Sequence, residues 1–408
     1  MPDSWGVVPL KHLATLSNGF AFKSDGWGGV GTPIIRIENL NGSENYNHSG
    51  LTLDDRYEVV AGDLLYSWSG NPGTSFGPFR WRAPGRYFLN QHIFKLSVHG
   101  CDKNWLYWAL KAATHWIERE LTSGMIGMVH VTKEELGAAP IPVPPPDKQR
   151  NIAEFLDRET ARISRISELR AAEKGLVRDR ADQLLADLYE QLSSRSGLVR
   201  LRHILRGIEQ GWSPECEGRL AEVDEWGVIK AGCVNGGVFN PDEHKALPAG
   251  VPPRRQYRLR QGDLLMSRAS GSPNLIGNVA IVDREPGRLL LCDKIYRLAV
   301  DDRRVVPEFL ALMMRSPQLR EMIRLGISGA GGLANNLPTS VVRDLPIPAI
   351  PLIEQIRFVR EMAYHAEWAN RAVKDIDQQL SLLVERQQAL IAAAVTGQID
   401  VTTGRGVV

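Results

Sequence analysis

Cysteine is scarce in this 408-residue chain, and the four present are poorly spaced for joint work. Cys101, Cys216, Cys233 and Cys292 form no C-x-x-C pair and have no histidine at zinc spacing. That argues against a zinc site or a disulfide framework and for free, buried thiols. Long apolar runs are missing too: none approaches the roughly 18 residues of a membrane-spanning helix. The opening MPDSWG carries neither the basic start nor the apolar run of a signal peptide, so the expectation is a cytoplasmic protein with no membrane partner. Charge of one sign is also lacking. The balance is 49 Lys+Arg against 47 Asp+Glu, which excludes a basic tail that would bind nucleic acid indiscriminately. The excess is local: residues 198–346 hold 21 basic against 17 acidic residues, and 18 of the 21 are Arg, the side chain suited to bidentate contact with phosphate or guanine.

Catalytic signatures are absent as well. There is no G-x-x-x-x-G-K-[ST] loop, nucleophile elbow or H-E-x-x-H pair. Neither half has the Gly-rich cofactor loop or the Asn/Asp-Pro-Pro-aromatic stretch of an amino-methyltransferase; Asn71-Pro72-Gly73 reads as a turn. In Pro241-Asp242-Glu243-His244-Lys245 the acids and lysine are adjacent, unlike a metal-dependent nuclease, where a hairpin separates them. The reading is a recognition or scaffold component that is not itself an enzyme, with no metal and no catalytic residues.

What is present is a repeat. GDLLYS (62–67) returns as GDLLMS (262–267), PIPVP (140–144) as PIPAIP (346–351), VPLKHL (8–13) as VRLRHI (199–204), and HIFKLSV (92–98) as KIYRLAV (294–300). Each proline cluster is followed by a glutamine, Gln149 or Gln355, and then by a long proline-free run. A period near 200 residues is far beyond the roughly 20–50 of solenoid repeats. It implies two copies of a globular domain, each trailed by a long helix. Two similar surfaces suit a partner that is itself repetitive, and double-stranded DNA is the obvious one. The expected fold is α+β: two mixed α/β domains at 1–146 and 198–346, joined by long helices in 147–197 and 347–408 that form an antiparallel coiled coil with an internal pseudo-twofold repeat.

The seam is read from apolar spacing. In the first run it is Ile152, Leu156, Ile163, Ile166, Leu169, Leu176, Leu184 and Leu188; in the second it is Ile356, Val359, Val373, Ile376, Leu380, Leu383 and Leu390, with Ala363, Ala366 and Asn370 between and one extra three-residue step, a stammer, after Val373. At 1.5 Å per residue such rods reach roughly 65–70 Å. Between the runs, β-rich segments alternate with Gly, Asn and Ser turns, and one amphipathic helix is expected in each half, at 104–121 and 307–325. The segments after GDLL, SWSGNPGTSFG (67–77) and SRASGSPNLIG (267–277), are open loops of small polar residues with one aromatic or Arg, suited to close approach to phosphates and base edges. From these loops come the candidate DNA contacts Ser67, Ser69 and Asn71 in the first half, and Ser267, Arg268, Ser270 and Asn274 in the second. Asn90, Gln91 and Lys294 precede the paired strands, and His130, Asn335 and Asn336 lie just before the proline clusters. Asn, Gln and Arg can address base edges in pairs of hydrogen bonds, whereas Ser and Lys more often anchor phosphate.

LLVERQQALIAAAVTGQIDV (382–401) resembles the end of the specificity subunits of Type I restriction-modification enzymes, and PIPVPPPDKQRNIAEFLDRETARI (140–163) resembles the entry to their central region, repeated as PIPAIPLIEQIRF (346–358). The chain departs from that pattern at PLIEQ, where a further proline-leucine pairing before the acid is common. The resemblance covers the whole chain in order. It implies two target-recognition domains, each reading one half of a split, asymmetric DNA sequence in the major groove, spaced by an antiparallel coiled coil. It also implies two methyltransferase subunits and motor-nuclease subunits as partners, with S-adenosylmethionine and ATP bound there and no cofactor on this chain. The alternative left open is a structural scaffold that holds two ligand-binding domains on a coiled coil.

Overall fold

The computed structural model describes residues 2, 5–23, 27–71, 73–121, 129–328, 335–402 and 405–406. Its contacts divide the chain into two compact units: residues 1–171 with 377–408, and residues 172–376. About half of each long helix belongs to each unit.

Each unit is built on a four-stranded antiparallel sheet of one topology. In the first the order is Ala14–Asn18, Ile93–Val98, Leu64–Ser67, Gly77–Arg80; in the second it is Leu205–Gln210, Ile295–Val300, Leu264–Ser267, Val279–Ile281. Side chains alternate across a strand, and both faces are covered. In the first unit Leu64, Tyr66, Phe94 and Leu96 pack on the helix Lys103–Leu121 through Trp105 and Leu106, while Leu65 and Ile93 pack on a smaller sheet through Ile35, Val59 and Leu89. In the second unit Leu264, Met266, Tyr296 and Leu298 meet Phe309, Leu310 and Met313, and Leu265 and Ile295 meet Val228, Ile229 and Leu290. The expected single helix at 307–325 is two helices, Pro307–Met314 and Pro317–Leu325. The cause lies in Ser316-Pro317: the Ser316 side chain caps the second helix and Pro317 occupies its first turn, where it has no amide to lose.

The repeated GDLL is a structural corner. Gly62 and Gly262 adopt φ of 93° and 89°, a region that favours glycine. The following aspartates tie the corner to the neighbouring strand: Asp63 Oδ2 accepts from the Val60 amide at 3.0 Å and pairs with Lys95 Nζ at 3.0 Å, and Asp263 Oδ2 accepts from the Arg260 amide at 2.9 Å and from Arg297 at 3.0 Å. The two glutamines are latches. Gln149 is buried; its Oε1 accepts from the Asp102 amide at 2.7 Å and its Nε2 donates to the Pro144 carbonyl at 2.9 Å. Gln355 accepts from the Val306 amide at 2.8 Å and donates to the carbonyls of Ile350 and Arg304 at 2.9 and 3.1 Å. Each thus fixes the start of a long helix to the loop that opens the domain helix.

The long helices are Pro146–Ser196 and Leu352–Val395. In the first unit Ile152, Ala153 and Leu156 share a core with Ile391, Ala394 and Val395; in the second Leu185, Leu188, Tyr189 and Leu192 share one with Phe358, Val359 and Met362. Of the expected seam, Ile152, Leu156, Ile163, Leu188 and Ile376 are buried, and Leu184, Val359, Val373, Leu380, Leu383 and Leu390 half-buried. Ile166, Leu169, Leu176 and Ile356 are corrections: all four are exposed. The covered stripe of the central helix runs instead through Thr160, Ile163, Ser167, Arg170, Lys174, Val177, Ala181 and Leu184. Ile163, Ile166 and Leu169 take two successive steps of three, which at about 100° per residue swing roughly 120° off the face, whereas alternating fours and threes drift only about 20° per heptad. In the C-terminal helix Met362, His365, Ala369 and Ala372 are half-buried, and Ala363, Ala366 and Asn370 one residue later are exposed. The irregularity there is two successive steps of four through Ile376 to Leu380, a stutter instead of the expected stammer.

All four cysteines are free; Cys233 and Cys292 are buried, and burial pushes the Cys101 and Cys292 thiols up to about 11. Among the described residues no helix is long and apolar enough to cross a membrane, and no His/Cys/Asp/Glu group could hold a metal.

Candidate nucleic-acid interface

The strand Leu64–Ser67 leads through Trp68 into a two-residue strand, Ser69–Gly70, which pairs with Val129–His130, bringing Ser69 opposite His130. Trp68 organises this corner. Its carbonyl accepts from the Val131 amide at 2.9 Å, its indole Nε1 donates to the Gln91 carbonyl at 2.9 Å, and its ring lies 5.3 Å from His92 and 6.2 Å from His130. Three expected segments (67–77, 90–92 and 129–130) therefore converge on one indole. Asn71 and His130 are exposed and Gln91 is half-buried. Pro72, in the middle of the loop, lies outside the described residues.

The second unit repeats the construction with a different side chain at the centre. Ala269–Ser270 pairs with Asn335–Asn336, and the Leu337 amide donates to the Arg268 carbonyl at 2.9 Å, as Val131 does to Trp68. Arg268 stands where the first unit has Trp68. Its amide donates to the Lys294 carbonyl at 2.8 Å, its guanidinium to the Asp293 carbonyl at 3.2 Å, and that guanidinium lies 5.9 Å from the Tyr296 ring centre. Asn274 and Lys294 are exposed; Arg268, Ser270, Asn335 and Asn336 are half-buried. Beside Lys294 a cleft of about 620 Å³ is lined by Lys230, Lys245, Glu215, Glu243, Ser213 and Cys216, among others.

Four expected contacts are corrected. Ser67, Ser69, Asn90 and Ser267 are buried. The Ser67 hydroxyl donates to the Ser69 carbonyl at 2.9 Å; that of Ser267 donates to the Leu275 carbonyl and accepts from the Asn278 amide at 3.2 Å. Asn90 Oδ1 accepts from the His92 amide at 3.3 Å, and the Asn90 carbonyl lies only 2.1 Å from where a Cβ on Gly19 would sit. Such short polar side chains build turns by bonding nearby backbone. Sequence reasoning missed Trp68, His92 and Arg320, whose guanidinium donates to the Asn274 carbonyl at 2.9 Å. Trp68 had a signal, as a large aromatic residue that directly follows the repeated GDLL strand in a loop of mostly small residues.

One domain topology is thus built twice, with Trp68 at the corner of the first copy and Arg268 at the matching corner of the second. The family described as Type I restriction modification DNA specificity domain matches residues 2–172. Over its length the chain is 24% identical to the EcoBI specificity subunit of a Type I restriction enzyme from Escherichia coli, covering 97% of this chain and 86% of the relative, and 23% identical to the EcoKI specificity subunit of Escherichia coli strain K12, covering 98% and 90%. The fold matches a chain solved in work on complex assembly and conformational transition of the type I R-M system, with a TM-score of 0.72, 16% identity and coverage of 98% and 99%. It also matches the HsdS subunit from Thermoanaerobacter tengcongensis, with a TM-score of 0.52, 16% identity and 98% of each chain covered. Along nearly its whole length the chain is thus similar to specificity subunits of Type I restriction enzymes, and residues 2–172 match that family's DNA specificity domain.

Proposed function

We propose that this specificity subunit reads a split, asymmetric DNA target in the major groove, each unit reading one half, through the Trp68 corner in the first and the Arg268 corner in the second. The observation that carries the reading is the one construction built twice with different central side chains: the two readers share a frame and differ where base edges would be met. Arg268, Asn335 and Asn336 are of the types that address guanine and adenine edges in pairs, and Lys294 with the lysines of its cleft suits phosphate. The two long helices form the antiparallel coiled coil that spaces the readers, supported by the sharing of cores between the start of one and the end of the other. Their exposed apolar residues, Ile166, Leu169 and Leu176 among them, suit the docking of two methyltransferase subunits, with motor-nuclease subunits joining the restriction complex. On this reading the chain is not catalytic and binds no cofactor; S-adenosylmethionine and ATP act on the partner subunits.

The test is a domain exchange. Replacing residues 1–146 with the matching segment of a related specificity subunit, then mapping methylated adenines across the genome of a host carrying the system, should change one half of the motif and leave the other intact, since base contacts at separated positions add independently. A change in both halves sinks the two-reader arrangement. No adenine methylation tied to any motif favours a scaffold that does not read DNA.

A further inference from the structure

The two copies differ where the recognition domain meets its long helix. In the first unit that junction holds a clasp. Asp157, in the fourth turn of the helix Pro146–Ser196, accepts at a single oxygen, Oδ1, from Arg80 at 2.7 Å and from the Trp108 indole at 2.8 Å. Arg80 ends the edge strand of the main sheet, and its guanidinium also lies 4.1 Å from the Tyr107 ring centre and donates to the Asn104 carbonyl at 3.0 Å. One carboxylate thus joins the sheet, the domain helix and the long helix. Arg80 is mostly buried, so water competes weakly for its bonds.

The matching positions of the second unit can be assigned by register. Arg80 pairs with Leu64 as Ile281 pairs with Leu264. Gln149 and Gln355 accept from the amides of Asp102 and Val306, so Tyr107 and Trp108 correspond to Ala311 and Leu312. Asp157, eight residues after its glutamine, corresponds to Ala363. Every member of the clasp is replaced by an uncharged, non-aromatic residue. The space is a cavity of about 320 Å³ with Ile281, Ala311, Leu312, Val359, Met362 and Ala363 in its wall; Asp283, Glu308 and Arg315 also line it.

We propose that Asp157 is a positioning residue: through Arg80 and Trp108 it fixes the angle at which the first recognition domain leaves the long helix, and so holds the spacer between the two half-sites to one length. The second domain has no such clasp at the matching positions; its polar bonds to the long helix Pro146–Ser196 lie elsewhere, from Gln318 to the Ala186 carbonyl and to Glu190 at 3.2 Å and from the Tyr189 hydroxyl to the Pro346 carbonyl at 2.9 Å. This rests on the split-target reading above. A carboxylate that accepts two bonds, one from a cation, resists tilting in two directions, whereas the matching positions Ile281, Leu312 and Ala363 of the second copy can make only non-directional side-chain contacts. Asp157 and its partners lie outside the reading corner, so their loss should leave the bases of both half-sites unchanged.

The experiment uses the full chain in complex with its methyltransferase subunits, acting on a plasmid library in which both half-sites are kept and the spacer varies by single base pairs. Asp157→Ala should keep both half-site sequences yet methylate spacers one base pair longer and shorter about tenfold more, relative to the native spacer, than the unsubstituted complex does, as expected for losing a charge-assisted hydrogen bond. Asp157→Asn keeps Oδ1 as an acceptor for both partners and should restore a sharp spacer preference. Should Asp157→Ala prove insoluble, Arg80→Leu removes the same link from the other side and should broaden the spacer likewise. Methylation that falls equally at every spacer, with the preference as sharp as before, overturns the proposal and leaves the clasp a purely stabilising contact. If the unsubstituted complex methylates no split target, the specificity reading falls first and the spacer role with it.

Discussion

Removing a buried latch should destabilise one unit by an amount that the bond count sets. Gln149 satisfies two groups, the Asp102 amide and the Pro144 carbonyl, from a side chain only 2% exposed. Gln149→Ala leaves both without a partner, and each orphaned buried group costs about 1–3 kcal/mol, so the loss should be about 2–6 kcal/mol. Gln355 holds one amide and two carbonyls, and by the same principle Gln355→Ala should cost about 3–9 kcal/mol. The two share no partner, so the double substitution should add within about 0.5 kcal/mol. Urea unfolding followed by tryptophan fluorescence checks this for the first unit, because Trp105 is fully buried on the helix whose start Gln149 holds. The midpoint should fall with the slope unchanged. Gln149→Glu adds a pH signature. Its ionised carboxylate can still accept from Asp102 but meets the Pro144 carbonyl without a proton to donate, and burial raises its folded pKa above the unfolded value of about 4.3. A raised pKa on an acid means that stability is present below about pH 4.3 and is lost as pH rises through the folded value. Gln149→Glu should therefore match the unsubstituted chain in acid and fall behind it at neutral pH. A Gln149→Ala variant within about 0.5 kcal/mol of the unsubstituted chain refutes the latch, since no orphaned buried pair costs so little.

Two further outcomes concern DNA. Arg268→Ala should cost about 1–3 kcal/mol and relax one position of the second half-site if the guanidinium turns to a base; a uniform loss on all sequences with a salt slope smaller by about one assigns it to phosphate instead, and unchanged affinity and methylation remove its corner from the interface. Lengthening both long helices by one heptad adds about 10 Å of rise, so the tolerated spacer should shift by about three base pairs; an unchanged spacer rules out the helices as the ruler.

The architecture was legible because it is repeated: each motif occurs twice in one order, which no single segment's propensity could have established. The roles of the motifs were less so. GDLL stood out as a string, but its aspartates act on Lys95 and Arg297, some thirty residues on, and only the sheet brings them together. The serines after it have the right chemistry for phosphate and the wrong location, because a small hydroxyl is equally suited to closing a turn with a nearby carbonyl. The seam shows a different limit. Apolar spacing found both ends of the central helix, where Ile152, Leu156 and Leu188 enter domain cores, and failed in the middle, where the covered stripe includes Thr160, Ser167, Arg170 and Lys174. Arg and Lys stems can cover a helix face while their charged ends reach outward, so a search for apolar residues alone selects the neighbouring face. The broken helix at Ser316-Pro317 was readable, since an N-cap serine followed by proline is a start signal even inside an amphipathic run. The clasp at Asp157 was not. Its three elements are brought to one oxygen by tertiary packing alone, and its meaning emerges only when Asp157 is set beside Ala363 in the copy that lacks it.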